Sequence, residues 1–394
     1  MVTTDIVIVA AARTPQGRLK GGLSSFSAPQ LGSFAIAGAL ERGSVPASAV
    51  DAVILGQVLP AGSGQNPARQ AALGAGIGWD VPAHSVNKVC LSGLTAVIDA
   101  SRMIASGDTE VVVAGGMESM SRAPHLLVGS RSGWTYGSVE VLDHMAHDGL
   151  TDARDGVSMG LSTENHNARF GLTRDEQDAV AARSHQRAAA AAESGAFADE
   201  IVPVEVPQRR GDPLVVSTDE GVRPDTTTET LAQLRPAFAE GGSVTAGNAS
   251  QISDGAAALV LTTRARAVAE GWHVLAALGA NGQTAGPDNS LQAQPADAIR
   301  RVLDKQGIAA GDLDLVEINE AFGAVVAHSQ KQLGLSDEVV NIHGGGIAIG
   351  HPIGASGARL VVHAAHELAR RGSGTAAVAL CGGGGQGDAL ILTL

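Results

Sequence analysis

The chain of 394 residues contains two cysteines, and the sequence around each is suited to chemistry. Cys90 precedes apolar residues with helical spacing, Leu91, Leu94 and Ile98, so a helix is predicted to begin beside the thiol. The positive end of a helix dipole and the cation of Lys88 both favour the thiolate, which is the nucleophilic form. These features predict that Cys90 is a nucleophile.

The second cysteine, Cys381, follows an apolar strand at residues 376–380 and precedes a glycine-rich run at residues 382–387. Glycines allow a substrate to approach the backbone closely and leave N–H groups free to bind an anion. The alternative for either cysteine is a structural role, because a free cysteine behaves as a small buried hydrophobe. The two contexts together favour chemistry.

Asn319 and His351 are the other polar candidates. Asn319 follows a predicted strand at residues 313–318, where it could instead serve only as the cap of the next helix. His351 lies in a loop between Gly350 and Pro352, where the alternative is a solvated histidine. An activated cysteine needs a base, and histidine is the usual base at neutral pH.

An internal repeat indicates how these groups are positioned. Residues 35–56 align without a gap on residues 298–319, and each copy has the pattern of an amphipathic helix, a short loop and an apolar strand. A second helix and strand follow each copy, and these strands are predicted to end equivalently at the glycine pairs 115–116 and 382–383. Two matches in the same order favour one α/β unit that is used twice.

Residues 122–249 differ from both copies, with fewer strand-like runs and one long helix. That helix is predicted to start at a capping box, Thr173 to Glu176, and to stop near Gly195. We interpret this stretch as an insertion that covers one face of the first half. The predicted domains are an N-terminal half (1–121 plus 250–272), an inserted loop domain (122–249) and a C-terminal half (273–394).

Composition limits the function classes. The net charge of −13 argues against nucleic acid and anionic membranes as partners, so an anionic substrate would need a local basic patch. Two cysteines exclude a disulfide framework and fit a reducing compartment. The start of the chain has the pattern of a first strand and not of a signal peptide, and no apolar run approaches the ~18 residues of a membrane span. A cytoplasmic location is predicted.

Five sequence blocks resemble the signature blocks of the thiolases and, within that family, those of the acetyl-CoA acetyltransferases. They occur in the family's order, at residues 89–93, 115–120, 319–322, 350–357 and 381–387. The resemblance implies an α/β fold in which two duplicated halves form a five-layered αβαβα core with an inserted loop domain. It also implies a homotetramer built as a dimer of dimers.

The resemblance implies a reversible Claisen condensation of two acetyl-CoA to acetoacetyl-CoA and CoA, with no cofactor and no metal. Cys90 would accept the acetyl group, with His351 as its base. Cys381 would exchange a proton with the α-carbon of the second acetyl-CoA or with the leaving CoA. Asn319 would hold a water that forms one oxyanion hole with His351. The backbone N–H groups of Cys90 and Gly383 would form the other.

For coenzyme A, the resemblance points to an arginine near the nucleotide end and a serine near the pantetheine, with apolar residues along a tunnel. These residues are Arg223, Ser250, Leu150, Met159, Phe238, Ala249 and Phe322. Arg209 and Arg210 could attract phosphate, although a solvated basic pair is the alternative.

The chain departs from the family's usual residues at Ser158, Gly382, Gln386 and the loop 282–288. These positions are expected to border the CoA or acyl pocket. The acyl-chain preference therefore stays open, and a degradative 3-ketoacyl-CoA thiolase of broader chain length is the alternative.

Other interpretations compete with a thiolase. Residues 156–160 match the G-x-S-x-G motif of serine esterases, but the residues before them are too polar for the strand that this motif requires. Residues 144–148 resemble the His-x-x-x-Asp of another acyltransferase class, or a metal site, and loop histidines are the alternative. His363 and His366 are predicted on the solvated side of a helix. A non-catalytic thiolase-like protein would not need both cysteines, Asn319 and His351.

Overall fold

A computed structural model describes residues 5–394. The strands are β1 (Ile6–Arg13), β2 (Gly17–Arg18), β3 (Ala52–Gly56), β4 (Ala83–Val86), β5 (Val111–Ser119), β6 (His125–Leu126), β7 (Leu142–Asp143), β8 (Val204–Val206), β9 (Leu214–Val216), β10 (Ser253–Thr263), β11 (Ala276–Ala285), β12 (Leu315–Ile318), β13 (Thr375–Gly382) and β14 (Gln386–Thr393). The helices are α1 (Ala28–Arg42), α2 (Pro67–Gly74), α3 (Ser92–Ser106), α4 (Met159–Asn167), α5 (Arg174–Ser194), α6 (Thr228–Ala232), α7 (Arg264–Glu270), α8 (Gln294–Gln306), α9 (Gly323–Leu333), α10 (Gly346–Ile349) and α11 (Ser356–Arg371).

Ten strands form one mixed sheet in the order β12-β13-β14-β11-β1-β10-β5-β3-β4, with β2 paired to β10. The order is symmetric about the junction of β11 and β1, where Val7 pairs with Ala277 and Ile8 with Ala276. On each side of this junction one pair of strands is parallel, β3 with β5 and β12 with β13. The sheet therefore consists of two similar halves.

Helices α3 and α11 lie between the two halves of the sheet. Each packs against the other and against strands of both halves, and their apolar residues share one core with those strands. Helix α1 covers the outer face of the first half and α8 the outer face of the second. The predicted αβαβα layering and the duplicated α/β fold are confirmed.

The repeat is confirmed in its first part. Helix α1 and strand β3 correspond to α8 and β12, with a short 3₁₀ turn at Ala47–Ala49 in one copy and Ala310–Asp312 in the other.

The predicted equivalence of the two glycine pairs is wrong. Val112 pairs with Ala52 as Ala376 pairs with Leu315, so Gly116 corresponds to Leu380. By the same register, Cys381 corresponds to Met117. Strand β13 continues beyond Cys381 to Gly382.

The inserted segment contains α4, α5, α6 and two small two-stranded sheets. Helix α5 has the predicted capping box: Glu176 N donates to Thr173 Oγ1 (3.2 Å), and the Glu176 carboxylate accepts from Thr173 N (2.8 Å). The helix ends at Gly195, whose φ of 77° suits a residue without a Cβ. Helix α5 packs on α9 and α10 of the second half. The prediction that the insertion covers the first half is therefore wrong for its longest helix.

Two further expectations are corrected. The segment Val89–Ser106 is long and apolar enough to cross a membrane by length and composition (mean hydropathy 1.3), but 61% of it is buried because α3 lies in the central layer. His363 is also buried: its Nδ1 lies 2.9 Å from Glu200 Oε2 and its Nε2 3.1 Å from His343 Nδ1. His366 reaches the carbonyl oxygen of Ala11 (3.0 Å), so neither histidine is on a solvated side.

Candidate active site

Cys90 lies in a tight turn at the start of α3. Val89 has a φ of +51°, a left-handed conformation that is strained for a β-branched residue. Ser92 Oγ accepts from Lys88 N (2.8 Å) and donates to Val89 O (2.6 Å), which closes the turn. The turn places the thiol next to the glycine run that follows Cys381, where the N–H of Gly383 faces the Cys90 sulfur.

The sequence predicted that the cation of Lys88 activates this thiol, but in the structure that cation pairs with a carboxylate instead. Lys88 Nζ lies 2.7 and 2.9 Å from the two carboxylate oxygens of Asp388, which is fully buried and also accepts from Thr95 Oγ1 (3.0 Å). Burial raises the pKa of the Cys90 thiol to about 11, and the N–H groups of Gly383 and Cys90 offset this only in part. The resting Cys90 is therefore a thiol, and it needs a base.

His351 is oriented as such a base. Its Nδ1 lies 2.6 Å from Ser356 Oγ, and that hydroxyl donates its single hydrogen to Pro352 O (3.0 Å). Nδ1 must therefore carry the proton, which leaves Nε2 as an acceptor. Burial, and secondarily the charge of Arg359, lower the pKa of His351 to about 3, so the imidazole is neutral at physiological pH.

Asn319 is fully buried beside His351. Its Nδ2 lies 3.4 Å from His351 Nε2, and its Oδ1 has no hydrogen-bond partner within the protein. The next helix begins only at Gly323, with Phe322 at the N-cap position, so the alternative that Asn319 is a helix cap is wrong. The amide is thus held at the imidazole nitrogen that carries no proton, with an acceptor oxygen still available.

The two cysteines and His351 line one small cavity of about 50 Å³, which Phe322 and Gly383 also border. Cys381 is buried near the end of β13, and burial together with the proximity of Cys90 raises the pKa of its thiol. The structure therefore brings together the groups that the sequence singled out for chemistry, with Asn319 beside the imidazole.

A larger apolar cavity of about 420 Å³ opens from this site. Six of the seven predicted coenzyme A contacts line it: Leu150, Met159, Phe238, Ala249, Ser250 and Phe322. Arg223 does not line it, although Gln251, which does, donates to the carbonyl of the nearby Gly221 (3.0 Å). Arg209 and Arg210 are exposed beyond strand β8 and lie outside the cavity lining.

Glu118 is a site residue to which the sequence gave no role. Its buried carboxylate accepts from the N–H groups of Val58 (2.9 Å), Leu59 (3.1 Å) and Gly354 (3.0 Å). Burial raises its pKa to about 7. The carboxylate ties the loop that carries His351 to the loop after β3. The sequence signal for this role was a glutamate inside a strand of otherwise buried residues. A buried carboxylate needs hydrogen-bond partners, so such a glutamate indicates that other segments of the chain bind it.

The competing motifs have structural roles. Ser158 is the N-cap of α4 and accepts from Leu161 N (3.2 Å); the residues just before it form turns and not the strand that an esterase motif requires. His144 is buried, with Nδ1 at the carboxylate of Asp148 and Nε2 accepting from Ala61 N (3.4 Å). Across residues 5–394, no group of three or more His, Cys, Asp and Glu side chains could hold a metal ion.

Three of the four departures from the usual family residues lie around the site, whereas Gln386 begins β14 and lines none of these cavities. Ser158 borders the 420 Å³ cavity and Gly382 the cavity of the cysteines. A Cβ at Gly382 would lie 2.7 Å from Leu91 Cγ, so this chain has no room there for a side chain unless Leu91 moves. Residues 286–288 line a third cavity of about 440 Å³, which shares Val89 and Gly383 with the cysteine cavity.

Comparison with known proteins agrees with this architecture. The family described as thiolase, N-terminal domain, matches residues 6–265, and the thiolase, C-terminal domain, matches residues 272–394. The chain therefore belongs to the thiolase family.

Several similar proteins are named acetyl-CoA acetyltransferases. A probable acetyl-CoA acetyltransferase of Mycobacterium tuberculosis is 58% identical over 389 residues, which cover 99% of both chains. An acetyl-CoA acetyltransferase of Pseudomonas aeruginosa is 51% identical, covering 98% of this chain and 99% of that one. The crystal structure of the Bacillus anthracis acetyl-CoA acetyltransferase superposes with a TM-score of 0.96 at 41% identity, covering 99% of each chain.

Proposed function

We propose that the protein is an acetyl-CoA C-acetyltransferase that condenses two acetyl-CoA to acetoacetyl-CoA and CoA, reversibly, through an acetyl-Cys90 intermediate. The observation that carries this proposal is the single cavity that joins Cys90, Cys381 and a neutral His351 at the end of an apolar tunnel. The full-length similarity to acetyl-CoA acetyltransferases supports acetyl-CoA as the substrate.

The first half-reaction transfers the acetyl group. As the Cys90 sulfur attacks the thioester carbon, its proton passes to His351 Nε2, which carries no proton because Nδ1 does. The N–H groups of Cys90 and Gly383, which face the sulfur, would stabilise the oxyanion. The departing CoA thiolate takes the proton of Cys381. This step leaves acetyl-Cys90, protonated His351 and a Cys381 thiolate.

The second half-reaction forms the carbon–carbon bond. The Cys381 thiolate removes a proton from the methyl carbon of a second acetyl-CoA, and the carbanion attacks the acetyl carbon on Cys90. The enolate oxygen is stabilised by the Nε2–H of His351 and by a water on Asn319, whose Oδ1 is available for it. The Cys90 sulfur leaves with the proton of His351. All three groups return to their starting protonation states.

Thiolysis of longer 3-ketoacyl-CoA is the second candidate. The third cavity, of about 440 Å³, adjoins the cysteine cavity at Val89 and Gly383 and would offer space for a longer acyl chain. Its loop departs from the family's usual residues. Thiolysis rates for 3-ketoacyl-CoA of increasing length would discriminate, because an acetoacetyl-CoA enzyme loses activity with each added carbon pair.

We also infer a homotetramer in the cytoplasm, with the predicted domain division at residues 121–122, 249–250 and 272–273. Strand β4 ends the sheet and, in the described part of the chain, pairs only with β3, so its outer edge suits a second subunit. The segment 127–141 exposes several large apolar residues: Leu127, Val128, Trp134, Tyr136, Val139 and Val141. Two thiols in one cavity require a reducing compartment to stay free.

The direct test of this function is the intermediate. We expect acetyl-CoA to acetylate Cys90, as seen by intact mass and peptide mapping after acid quenching. A Cys90→Ala variant should remain unmodified under the same conditions. Acetyl on Ser158, or on no residue, would overturn the proposal.

A further inference from the structure

Two chain segments bring the cysteines to their common cavity. The Cys90 segment, residues 87–95, is the tight turn and the first part of α3. The Cys381 segment, residues 380–388, is the end of β13, the glycine run and the start of β14. Each segment supplies part of the cavity wall. The alignment of the two segments therefore decides how the two thiols meet.

The segments touch through apolar side chains that lie on bare backbone. A Cβ added at Gly382 would lie 2.7 Å from Leu91 Cγ. One added at Gly383 would lie 3.3 Å from Val89 Cγ1. Apolar contacts are non-directional, because their strength depends on the buried area. They hold the segments together, but they do not fix the alignment.

Asp388 makes directional contacts between the two segments. Its two carboxylate oxygens lie 2.7 and 2.9 Å from Lys88 Nζ, and one of them accepts from Thr95 Oγ1 (3.0 Å). Lys88 precedes Cys90 and Thr95 follows it, so the carboxylate holds the Cys90 segment on both sides of the thiol. Within residues 5–394, every side-chain hydrogen bond between the two segments goes to Asp388.

Asp388 is itself fixed in the sheet. It is fully buried in β14, where the register pairs it with Leu380 and pairs the preceding Gly387 with Cys381. Gln283 of β11 lies on its other side, with Nε2 3.4 Å from the carboxylate. The carboxylate therefore belongs to the same pair of strands as Cys381.

Lys88 is fixed in the turn in a similar way. Its N–H donates to Ser92 Oγ (2.8 Å), and its carbonyl accepts from Leu91 N (3.1 Å). These hydrogen bonds join Lys88 to the residues that follow Cys90. A displacement of Lys88 would therefore displace Cys90 as well.

Stability alone does not explain this ion pair. Taking an ammonium and a carboxylate out of water is costly, and apolar residues of similar volume often stabilise a fold equally well. The surrounding core is apolar, and it includes Leu94 of α3 and Leu380 and Leu390 of the hairpin. Hydrogen bonds depend on distance and angle, so the pair fixes an alignment that aliphatic side chains would leave free.

We propose that Asp388, acting through Lys88 and Thr95, is a positioning residue that aligns the Cys90 segment with the Cys381 segment. The alignment places the two thiols where both half-reactions need them. This role rests on the function proposed above, in which both cysteines react.

The expected kinetic effect follows from where the pair lies. Lys88 and Asp388 line none of the three cavities, so their loss should change the binding of acetyl-CoA little. A misaligned thiol should instead slow the chemical steps. We expect kcat and kcat/KM for condensation to fall together by about 10–100-fold, because a misplacement of about 1 Å can cost about 10²-fold.

A double variant separates alignment from stability. In Lys88→Met with Asp388→Leu, apolar side chains replace the ion pair, so thermal unfolding should occur at the natural temperature or above it. We expect acetylation of Cys90 and condensation to stay slow in this folded protein, as measured by rapid quench and by steady-state rates. A pair that only stabilises the fold would instead give normal rates wherever stability is normal.

Three further variants complete the design. Lys88→Arg keeps a cationic donor for Asp388 and should retain most of the natural kcat. Asp388→Asn keeps the size of the side chain, and it should show the same joint fall in kcat and kcat/KM if the double variant does not fold. Arg183→Met is the control, because it breaks a pair of similar length with Asp337 (2.8 Å) outside both segments and outside the three cavities. Its kcat should not change.

Normal kcat in the folded double variant, or in Asp388→Asn, would overturn the inference. A higher KM at unchanged kcat would also overturn it, because the pair would then serve substrate binding. The proposed function is tested separately by acetylation of Cys90 in the natural chain. Normal acetylation there, with normal kcat in these variants, rejects only the role of Asp388, whereas absent acetylation rejects the function itself.

Discussion

The two copies of the repeated α/β unit begin their central helices with the same residue and use it differently. Ser92 starts α3 and Ser356 starts α11. Each hydroxyl donates to a carbonyl of the preceding turn, that of Val89 (2.6 Å) or Pro352 (3.0 Å). The acceptor side differs: Ser92 accepts from a backbone N–H, whereas Ser356 accepts from the ring of His351. One copy thus fixes the backbone at Cys90, the proposed nucleophile, and the other fixes the tautomer of His351, the proposed base.

The ends of the neighbouring strands differ in the same way. Met117 of β5 and Cys381 of β13 occupy equivalent positions in the two copies. Met117 packs in the core between the sheet and α1, whereas Cys381 faces the catalytic cavity. The two copies therefore supply equivalent backbone positions close to one site. Different residues at those positions give the proposed nucleophile, its proposed base and the proposed second acid.

The largest effect that would separate the copies is expected for Cys381→Ala. Acetyl transfer needs Cys90 and His351, whereas removal of the α-proton needs the second thiol. The variant should still acetylate Cys90, more slowly because Cys381 also protonates departing CoA. It should lose α-carbon deuterium exchange and condensation by about 10²–10⁴-fold. NMR of exchange in acetyl-CoA measures this; near-normal exchange would mean that another residue is the base.

Asn319→Ala should have the next largest effect. The amide contacts His351 but caps no helix, so its loss should leave the fold nearly intact. We expect turnover to fall by about 10²–10³-fold, as for other lost oxyanion donors, with acetylation of Cys90 affected less. Steady-state condensation rates and thermal unfolding together test this. Unfolding without a specific kinetic defect would show that the side chain is structural.

The residues that meet at the site were predictable from sequence because they are of rare types in distinctive contexts. Both cysteines, Asn319 and His351 were identifiable, and the repeat indicated the duplicated fold. The electrostatics were not predictable. Lys88 is two residues before Cys90, but its partner, Asp388, lies 300 residues away, so the sequence suggested a cation that activates the thiol.

Partners that are distant in sequence also explain why the prediction for the histidines of α11 was wrong. His363 was expected on a solvated face, because the sequence around it does not show that Glu200 and His343 contact it. Helical periodicity identifies an amphipathic helix, but α11 is enclosed between two halves of a sheet and is buried nearly all round. Pairings between distant polar residues depend on the tertiary fold, and they set the protonation states on which the mechanism depends.

The smallest effect comes from removing the two equivalent hydroxyls. Ser356→Ala frees the tautomer of His351, so the fraction with an accepting Nε2 falls, and we expect acetylation of Cys90 to slow by about tenfold. Ser92→Ala removes hydrogen bonds within the turn only. It should cost about 1 kcal/mol of unfolding free energy and change the acetylation rate less than Ser356→Ala does.

Each variant is the other's matched control, because both remove one hydroxyl from the first residue of a buried helix. Rapid-quench acetylation and denaturant unfolding measure the two quantities. Equal kinetic losses in both variants would mean that Ser356, like Ser92, only closes a turn.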